Sequence, residues 1–507
     1  MQLPGSEGSG RPARGRQPGS SYALPCARNG APKPVFCRIA IRHGSYNRFG
    51  RAVRCPDTRH RTHDLLQRPP QFWPPIGPPF PISRPPATVP LSPRSFPHFP
   101  ARRSLRRSTR LSEPQPLSSS ALPADRQQAG RPRIAYLITN SEIGGAQAHV
   151  TTLLEALGDR VEAIVLAGGD GPLLTIAQAL GARTIRLSLL DNALSPVRAV
   201  AALRELMQAL READPDLIHA HSAKAGALGR LAGWLLGIPV VYTVHGFGFK
   251  PAAPRRQRLA ARVAEWLLAP LTARLICVAQ AERELARRLP LPARRIAVIH
   301  NGIADVHERA DAGAPMHRIV MVARFAAPKR PDLLIRAFAQ LADSTLAGCE
   351  LVIAGDGPQL AAMLALAERL VPGRVVLPGN VAAVPALLAS AQAFVLASDH
   401  EGFPLSILEA MRAGLPVVAT DLPGIREQLD DGRCGLLCEP DSVPALADAL
   451  TRLASDATLR MSLGTAARQR WSLHYGVTAM ADATWSIYGQ LLPAATGATG
   501  PLARDRV

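Results

Sequence analysis

From residue 131 onward, short apolar runs alternate with stretches in which apolar residues recur every three or four positions. The short runs predict buried strands, and the stretches predict amphipathic helices. In the first half of this region, strands are predicted at 133–139, 161–166, 184–187, 217–219 and 240–244. In the second half they are predicted at 318–322, 351–354, 375–378, 393–396 and 416–420. Strands that alternate with helices in this way favour parallel sheets covered by helices on both faces.

The alternation restarts midway, which divides this part of the chain into two α/β domains. We predict their bounds at residues 131–307 and 314–470. Helical patterns continue beyond the second domain, and residues 493–507 are expected to form a frayed tail. Residues 1–130 show no sustained helical or strand period, so we expect them to form a disordered extension.

The formal charge of +20 belongs mainly to residues 1–130, which hold 21 Lys and Arg, 5 Asp and Glu, and 23 of the 47 prolines. A basic segment can bind nucleic acid or an anionic membrane. This one carries no recognisable nucleic-acid module, so we expect solvated disorder and no nucleic-acid partner. An over-extended gene start is a second interpretation, because the first methionine after Met1 is Met207.

Targeting signals and metal-binding cysteine patterns are not recognisable in the sequence. No apolar run reaches the roughly 18 residues that a membrane-spanning helix needs, and Met1 is not followed by the apolar core of a signal peptide. The seven cysteines are scattered, and Cys434 and Cys438 have no second pair with zinc-binding spacing. Reduced thiols and a cytoplasmic location are therefore expected.

Residues 399–420 combine a polar turn, a short helix and a buried strand. Glu401 lies in the turn, and Glu409 follows eight residues later, inside the helix. The free N–H groups at a helix start and the helix dipole together form an anion site. A carboxylate beside such a site is suited to accept hydrogen bonds from the hydroxyl groups of a ligand whose phosphates occupy the helix start.

Two basic residues and a glycine turn are predicted to reach the same sheet edge as Glu401. Arg324 and Lys329 lie in the turn after the strand at 318–322, and two positive charges there suit a diphosphate. Gly355 and Asp356 form a turn after the next strand. Because parallel strands end at a common edge, these residues are expected to converge.

The first domain offers a glycine loop and several histidines at predicted strand ends. Gly144 and Gly145 lie between a strand and a helix, although the full dinucleotide-binding fingerprint is missing. We predict that His219 and His221 lie in a turn after the strand at 217–219, and that His245 follows the next strand. Histidines at strand ends suggest a role in a cleft. Metal binding by these three histidines would need a carboxylate or cysteine partner that the sequence does not place, so no metal is expected.

These motifs together resemble family 4 of the retaining, nucleotide-sugar-dependent glycosyltransferases. The resemblance rests on the E-x7-E spacing of Glu401 and Glu409, the R-x4-K spacing of Arg324 and Lys329, the glycine loop and the His245-Gly246 turn. It covers residues 131–492 and is closest in character to members that build polysaccharide or lipopolysaccharide. It implies the GT-B fold: two Rossmann-like, doubly wound domains facing a cleft, and a helix at 471–492 that crosses back to the first domain.

The resemblance also implies roles for individual residues. Arg324 and Lys329 would hold the donor diphosphate, assisted by the segment that comprises Gly402, Phe403, Pro404, Leu405 and Ser406. Glu409 would accept the ribose hydroxyls, with Gly355 and Asp356 near the nucleoside. Glu401 and His245 are the candidate catalytic residues, which would contact the donor sugar from opposite domains. Gly144 and Gly145 would line the cleft.

A metal-independent transferase of hexosyltransferase type is therefore expected, with a nucleotide diphosphate sugar as co-substrate. Its acceptor would be a glycan or a lipid-linked sugar used in cell-surface polysaccharide biosynthesis. Residues 247–274 form a basic amphipathic stretch, which favours either peripheral contact with the inner face of the plasma membrane or ordinary packing on the sheet. Two alternatives remain: a nucleotide-sugar epimerase or hydrolase on the same fold, and a non-catalytic nucleotide-sugar-binding protein.

Overall fold

The structure is a computed structural model that describes residues 130–191, 195–249 and 254–492, all within one compact unit of the chain. The extension predicted before Gly130 and the tail predicted at 493–507 lie outside the described residues. Two sheets are present among the described residues, and every strand pair within them is parallel.

The first sheet has seven strands in the order β3-β2-β1-β4-β5-β6-β7. Its strands are β1 (Arg133–Ile138), β2 (Glu162–Gly168), β3 (Arg183–Leu187), β4 (Leu217–His221), β5 (Val240–Val244), β6 (Arg274–Cys277) and β7 (Ile296–Val298). The helices that connect them are α1 (Gly145–Leu157), α2 (Pro172–Ala179), α3 (Pro196–Ala213), α4 (Ala223–Leu236), α5 (Arg255–Leu268) and α6 (Gln280–Ala286). The central strands β4 and β5 are buried along their whole length, as expected where helices cover both faces of a parallel sheet.

The second sheet has six strands in the order β10-β9-β8-β11-β12-β13. Its strands are β8 (Arg318–Val322), β9 (Glu350–Ala354), β10 (Val375–Val376), β11 (Ala393–Leu396), β12 (Val417–Thr420) and β13 (Gly435–Cys438). The helices of this half are α7 (Pro331–Leu341), α8 (Leu360–Leu370), α9 (Val384–Ala389), α10 (Leu405–Ala413), α11 (Pro423–Gln428), α12 (Val443–Ser455), α13 (Ala457–His474) and α14 (Val477–Gly489). The predicted fold class, two doubly wound α/β layers with parallel sheets, is confirmed.

Each sheet reverses its strand order once, and these two switch points position the site. The reversals lie between β1 and β4 in the first sheet and between β8 and β11 in the second. Open parallel sheets bind ligands in the crevice outside the carboxyl ends of the strands at such a point. The glycine loop follows β1, the Arg324 loop follows β8 and the Glu401 loop follows β11.

The final helix α14 packs on the first sheet although it follows the second domain in sequence. Four residues of α14 are buried in one apolar cluster with residues of β1 and α1: Met480, Ala481, Ile487 and Tyr488. Tyr488 also binds His219 of β4 through its hydroxyl group, at 2.6 Å. The end of the chain's described part therefore completes the core of the first domain.

The histidine turn predicted after residue 219 is wrong. His219 and His221 both lie inside β4, with no exposed surface. The polar ring of His219 is accommodated because its two nitrogens bind Tyr488 Oη and Thr243 Oγ1, at 2.6 and 2.7 Å. A buried imidazole with both nitrogens bonded can occupy a central strand, so the residue type alone did not mark a turn.

For Arg230 the sequence favours a solvated position on a helix over a basic contact in the cleft, and that interpretation is wrong. Its side chain is 1% exposed and forms a buried ion pair with Glu265 of α5, at 2.9 Å. The guanidinium group also donates to Gly226 O and lies 4.5 Å from the ring centroid of Tyr242. Arg230 therefore fixes α5 against α4 and has no contact with the cleft.

Candidate active site

A cavity of about 630 Å³ lies where the carboxyl ends of the two sets of strands face each other. Its walls come from both domains and include every residue to which the family resemblance assigned a role. From the first domain these are Gly144, Gly145 and His245. From the second they are Arg324, Lys329, Gly355, Asp356, Glu401, Gly402, Phe403, Pro404, Leu405, Ser406 and Glu409. The structure therefore brings the whole predicted set together in one place.

The loops after β8 and β11 are tied to each other at the cavity edge. The Lys329 ammonium forms an ion pair with the Glu401 carboxylate, and both side chains are mostly buried. Behind this pair, Asp399 N donates to Pro328 O at 2.9 Å, and Ser398 Oγ donates to the same carbonyl at 3.1 Å. These bonds hold the two loops together, which keeps the Lys329 ammonium beside the Glu401 carboxylate. The ammonium can then face a phosphate group while the carboxylate accepts hydrogen bonds from hydroxyl groups.

The Arg324 loop is braced by the glycine turn after β9. Phe325 N donates to Asp356 O at 2.9 Å, so the two loops lie side by side. Gly355 has a φ of +142°, and a β-carbon there would lie 2.0 Å from Ala323 O. Only glycine permits both this backbone conformation and this approach. The turn therefore sets the position of the exposed Arg324 side chain at the cavity edge.

The segment before α10 is fixed by contacts from both domains. Asn301 Nδ2 donates to Phe403 O at 2.7 Å, and Gln428 Nε2 donates to Pro404 O at 3.1 Å. The Phe403 ring stacks on His300, with 4.9 Å between centroids. These bonds fix the carbonyl groups of Phe403 and Pro404. The N–H groups in the first turn of α10 can then bind an anion, as at other helix starts.

Gly402 is the point at which the two domains approach most closely in the site. A β-carbon on Gly402 would lie 2.2 Å from His245 O and 3.1 Å from the His245 carbonyl carbon. The backbone of the Glu401 loop therefore packs directly against the backbone that carries His245. This contact places Glu401 and His245 on opposite walls of one cavity.

Glu409 lies in α10 with its carboxyl group facing the cavity. Burial raises the pKa of this carboxyl group to about 7, and the nearby Arg412 opposes the shift. Its neutral and ionised forms are therefore both populated near neutral pH. The ionised form is the better acceptor for two donating hydroxyl groups, because a charged acceptor makes stronger hydrogen bonds.

Nucleoside affinity is expected to rise with pH because of this shift. If the ribose hydroxyls bind only ionised Glu409, affinity should increase about tenfold between pH 6 and pH 8. Isothermal titration calorimetry with the nucleoside of the preferred donor measures this, since a nucleoside has no phosphate that titrates there. The Glu409→Gln variant should bind more weakly and show no such slope. A wild-type affinity that does not change with pH would contradict this role for Glu409.

Three further histidines lie behind the cavity wall formed by His245. His221 Nδ1 lies 3.1 Å from His245 Nε2, and the His149 ring meets the His245 ring edge-on, with 4.9 Å between centroids. Burial lowers the pKa of His149 to about 4, with the Asn301 hydrogen bond opposing the shift. Burial, and then the neighbouring histidines, also holds the pKa of His221, His245 and His219 well below the usual value. All four rings are therefore neutral at physiological pH.

Sequence reasoning missed His149, whose ring contacts His245, and Glu427, which joins the two domains. His149 lies in the first turns of α1. Its position shortly after the glycine loop is the one sequence feature that could have identified it. Glu427 of α11 accepts from Gln280 N and bonds His300 Nε2, each at 2.7 Å. No local pattern marks Glu427, because its partners lie more than 120 positions earlier.

Family models match both halves of the described chain. The model described as Glycosyltransferase Family 4 matches residues 143–306, and the model described as Glycosyl transferases group 1 matches residues 309–470. The boundary between these matches falls between β7 and β8, where one sheet ends and the other begins.

Similar proteins with established names are bacterial sugar transferases. The UDP-Gal:alpha-D-GlcNAc-diphosphoundecaprenol alpha-1,3-galactosyltransferase of Escherichia coli is 30% identical over 286 residues, which covers 53% of this chain and 74% of that protein. The alpha-D-kanosaminyltransferase of Streptomyces kanamyceticus is 28% identical, with 54% and 77% covered. Among solved structures, Anabaena HepE in complex with UDP and glucose superposes with a TM-score of 0.61 at 23% identity, covering 70% of this chain and 99% of that one. That last likeness shows the GT-B fold.

Proposed function

This chain belongs to glycosyltransferase family 4, and from that membership we propose that it transfers a sugar from a nucleotide diphosphate sugar to a lipid-linked or glycan acceptor, with retention of the anomeric configuration. The observation that carries the proposal is the single cavity that holds the basic residues, the two glutamates and His245. The cavity combines a region that suits a diphosphate with carboxylates that suit hydroxyl groups. A nucleotide diphosphate sugar presents both kinds of group, and the cavity is therefore suited to it.

The diphosphate is proposed to lie between the basic loop and the start of α10. Arg324 and Lys329 supply positive charge, and the N–H groups of residues 403–406 supply hydrogen bonds. Both stabilise the negative charge that develops on the leaving phosphate. Lys329 keeps Glu401 as a neighbour, so the same ammonium links the phosphate region to the sugar region.

The sugar is proposed to lie between Glu401 and His245, with Glu409 on the ribose. Neutral His245 can donate to or accept from a sugar hydroxyl without adding charge. In a front-face reaction the bond between the anomeric carbon and the phosphate oxygen breaks as the acceptor oxygen bonds to the same face. The acceptor proton passes to the departing phosphate, so no protein nucleophile or metal-bound base is required. The protein's contribution is position and electrostatics.

A lipid-linked acceptor is the finer part of the proposal. The Escherichia coli relative is named for a diphosphoundecaprenol-linked acceptor, and membership of the same family supports the same acceptor class here. Cell-surface polysaccharide is assembled on such carriers at the cytoplasmic face of the membrane. We therefore place this chain at that face as a peripheral enzyme.

Acceptor dependence separates transfer from hydrolysis and epimerisation. The purified chain is incubated with a panel of UDP- and GDP-sugars, with and without a polyprenyl diphosphate sugar. Labelled sugar is then followed into the lipid fraction by chromatography. Incorporation for one donor, only with acceptor present, supports the proposal. Free sugar or an epimer formed equally without acceptor would favour the hydrolase or epimerase, and nucleotide-sugar binding without turnover would favour a non-catalytic binder.

Helix α5 supports membrane contact. Leu259, Val263, Trp266 and Leu267 are about half exposed or more, and Arg255, Arg256 and Arg262 are exposed on the same helix. A helix with exposed apolar and basic side chains can lie in the interface of an anionic membrane. Among the described residues, no helix has both the length and the apolar composition to cross a membrane. Contact through one side of α5 is therefore the mode proposed.

Substitutions on α5 are expected to weaken binding to anionic vesicles. The double variant Leu259→Glu, Trp266→Glu should bind phosphatidylglycerol vesicles at least tenfold more weakly in a flotation assay, because each change removes about 1.5–3 kcal/mol of apolar burial. Val197→Glu is the matched control, since Val197 is an exposed apolar residue on α3. The basic residues 1–130 are the same in all variants. Equal flotation of the double variant and the wild type would rule out α5 as the contact.

A further inference from the structure

Three histidines from different parts of the first domain form a cluster that adjoins the proposed donor site through His245. His149 of α1, His221 of β4 and His245 after β5 each place one ring nitrogen within 4.8 Å of the others. From this geometry we infer a binding site for one Zn²⁺ ion, formed by these three imidazoles. The sequence analysis expected no metal on His219, His221 and His245 because it could place no carboxylate or cysteine partner; the cluster in the structure instead contains His149 in place of His219.

The state of the His149 ring suits metal coordination. Asn301 Nδ2 donates to Phe403 O, which directs Asn301 Oδ1 towards the His149 ring, at 3.0 Å from Nδ1. Nδ1 must then carry the hydrogen, so Nε2 of His149 presents a lone pair. Histidine ligands of metals are commonly oriented in this way, by an oxygen that accepts from the other ring nitrogen.

His221 supplies a second, independent observation. Its Nε2 is buried and has no hydrogen-bond partner among the described residues, and the side chain has no exposed surface. Buried polar atoms are nearly always bonded, so an unsatisfied ring nitrogen needs an explanation. Coordination of the cluster to a metal, with a small rearrangement of the rings, would supply the missing partner.

The separations are compatible with coordination after modest ring rotation. Ligand nitrogens at 2.0–2.1 Å from a tetrahedral metal lie about 3.4 Å apart. One ring nitrogen from each of the three histidines lies within 4.8 Å of the others, so the widest pair must close by at most about 1.4 Å. His245 is the member of the three that lines the cavity, and it gives the ion a route in and an open fourth position.

The ligand chemistry selects the metal. Three neutral imidazoles suit Zn²⁺ and other late divalent ions, whereas Mg²⁺ and Ca²⁺ require oxygen ligands. The rings are neutral at physiological pH, so no proton has to leave before the metal binds. Binding itself does not depend on the proposed function.

The consequence of binding does rest on the proposed function. An ion on His245 occupies one of its ring nitrogens and fixes the ring in the cluster, so this nitrogen is not available to bond the donor sugar. Zn²⁺ therefore inhibits transfer and plays no part in the reaction. The site acts as a brake on the enzyme in the presence of free Zn²⁺.

The test uses the full chain after treatment with a chelator. Zn²⁺ is titrated in competition with a chromophoric chelator, with Mg²⁺ as a parallel titration. One Zn²⁺ per chain is expected for wild type and for His307→Ala, which removes an exposed histidine. Affinity should fall at least tenfold in His149→Ala and in His221→Ala. Equal affinity in wild type and His149→Ala, or preference for Mg²⁺, would overturn the site.

X-ray absorption of the Zn²⁺-loaded wild type needs no variant and avoids any folding defect. Three imidazole ligands are expected, and fewer than three would overturn the site. The inhibitory effect is then read from transfer with and without one equivalent of Zn²⁺. Inhibition in wild type that His149→Ala relieves supports the brake. Full transfer by a chain that holds Zn²⁺ on all three imidazoles would refute the brake, and it would also contradict the assigned contact of His245 with the donor sugar.

Discussion

Replacing Lys329 with alanine should reduce sugar transfer by about 10²- to 10³-fold, the usual effect of removing one charge-stabilising group from an active site. The ammonium contacts Glu401 and lines the cavity beside Arg324. Its loss removes stabilisation of the leaving diphosphate and leaves the Glu401 carboxylate without that partner. Initial rates of transfer at saturating donor measure the effect.

The matched control is Arg336→Ala, because Arg336 is an exposed basic residue on α7. It should retain transfer within about twofold, since an exposed residue away from special features contributes little. Circular dichroism establishes that both variants fold. Full turnover by a folded Lys329→Ala chain would show that this ammonium does not stabilise the leaving group.

Gly402→Ala should reduce transfer by about 100-fold while nucleotide affinity stays within about twofold, because a misplacement of about 1 Å between the reacting groups can cost that much rate. The added β-carbon would lie 2.2 Å from His245 O, so the loop that carries Glu401 must move away from the other domain. The phosphate-binding residues belong to the second domain and move together. Calorimetry with the nucleotide and initial rates of transfer separate the two effects.

Gly476→Ala is the control for this substitution, because a β-carbon at Gly476 would meet no atom within 4 Å. It should transfer sugar at nearly the wild-type rate. If Gly402→Ala also transfers sugar at nearly the wild-type rate, the close packing of Gly402 against His245 is not needed for catalysis. If Gly402→Ala instead loses nucleotide binding, the contact with His245 would act mainly by holding the phosphate-binding segment 402–406 in place.

The convergence of the donor residues could be predicted because it follows from local rules. Arg324, Lys329 and Glu401 each follow a predicted parallel strand, and such strands end at one edge. Glu409 lies in the helix that begins just after Glu401. The positions of these residues relative to the predicted strands and helix were therefore enough to predict which side chains lie at the cavity edge of the second domain.

Long-range polar contacts could not be predicted in the same way. His219 and His221 were assigned to a turn because they follow the apolar run at 217–219, yet both lie inside β4, where His219 finds partners on α14 and β5. Arg230 was assigned to solvent because its partner Glu265 lies 35 residues later. Whether a buried polar group has a partner depends on the folded chain, and no periodicity reports it.

Strands that are short or begin with a basic residue could not be located from the pattern of apolar residues either. β6 begins at Arg274 and β7 has three residues, so neither forms an apolar run that stands out from its surroundings. Both become strands because they extend a sheet whose centre is already apolar. Tertiary context overrides weak local preference in such positions.

The anomeric configuration of the product tests the central claim most directly. With a donor whose sugar is α-linked to the diphosphate, the product is isolated and the coupling of its anomeric proton is measured by nuclear magnetic resonance. Front-face transfer within the cavity between the two domains predicts an α-linked product. A β-linked product would contradict the account, because it requires attack from the opposite face.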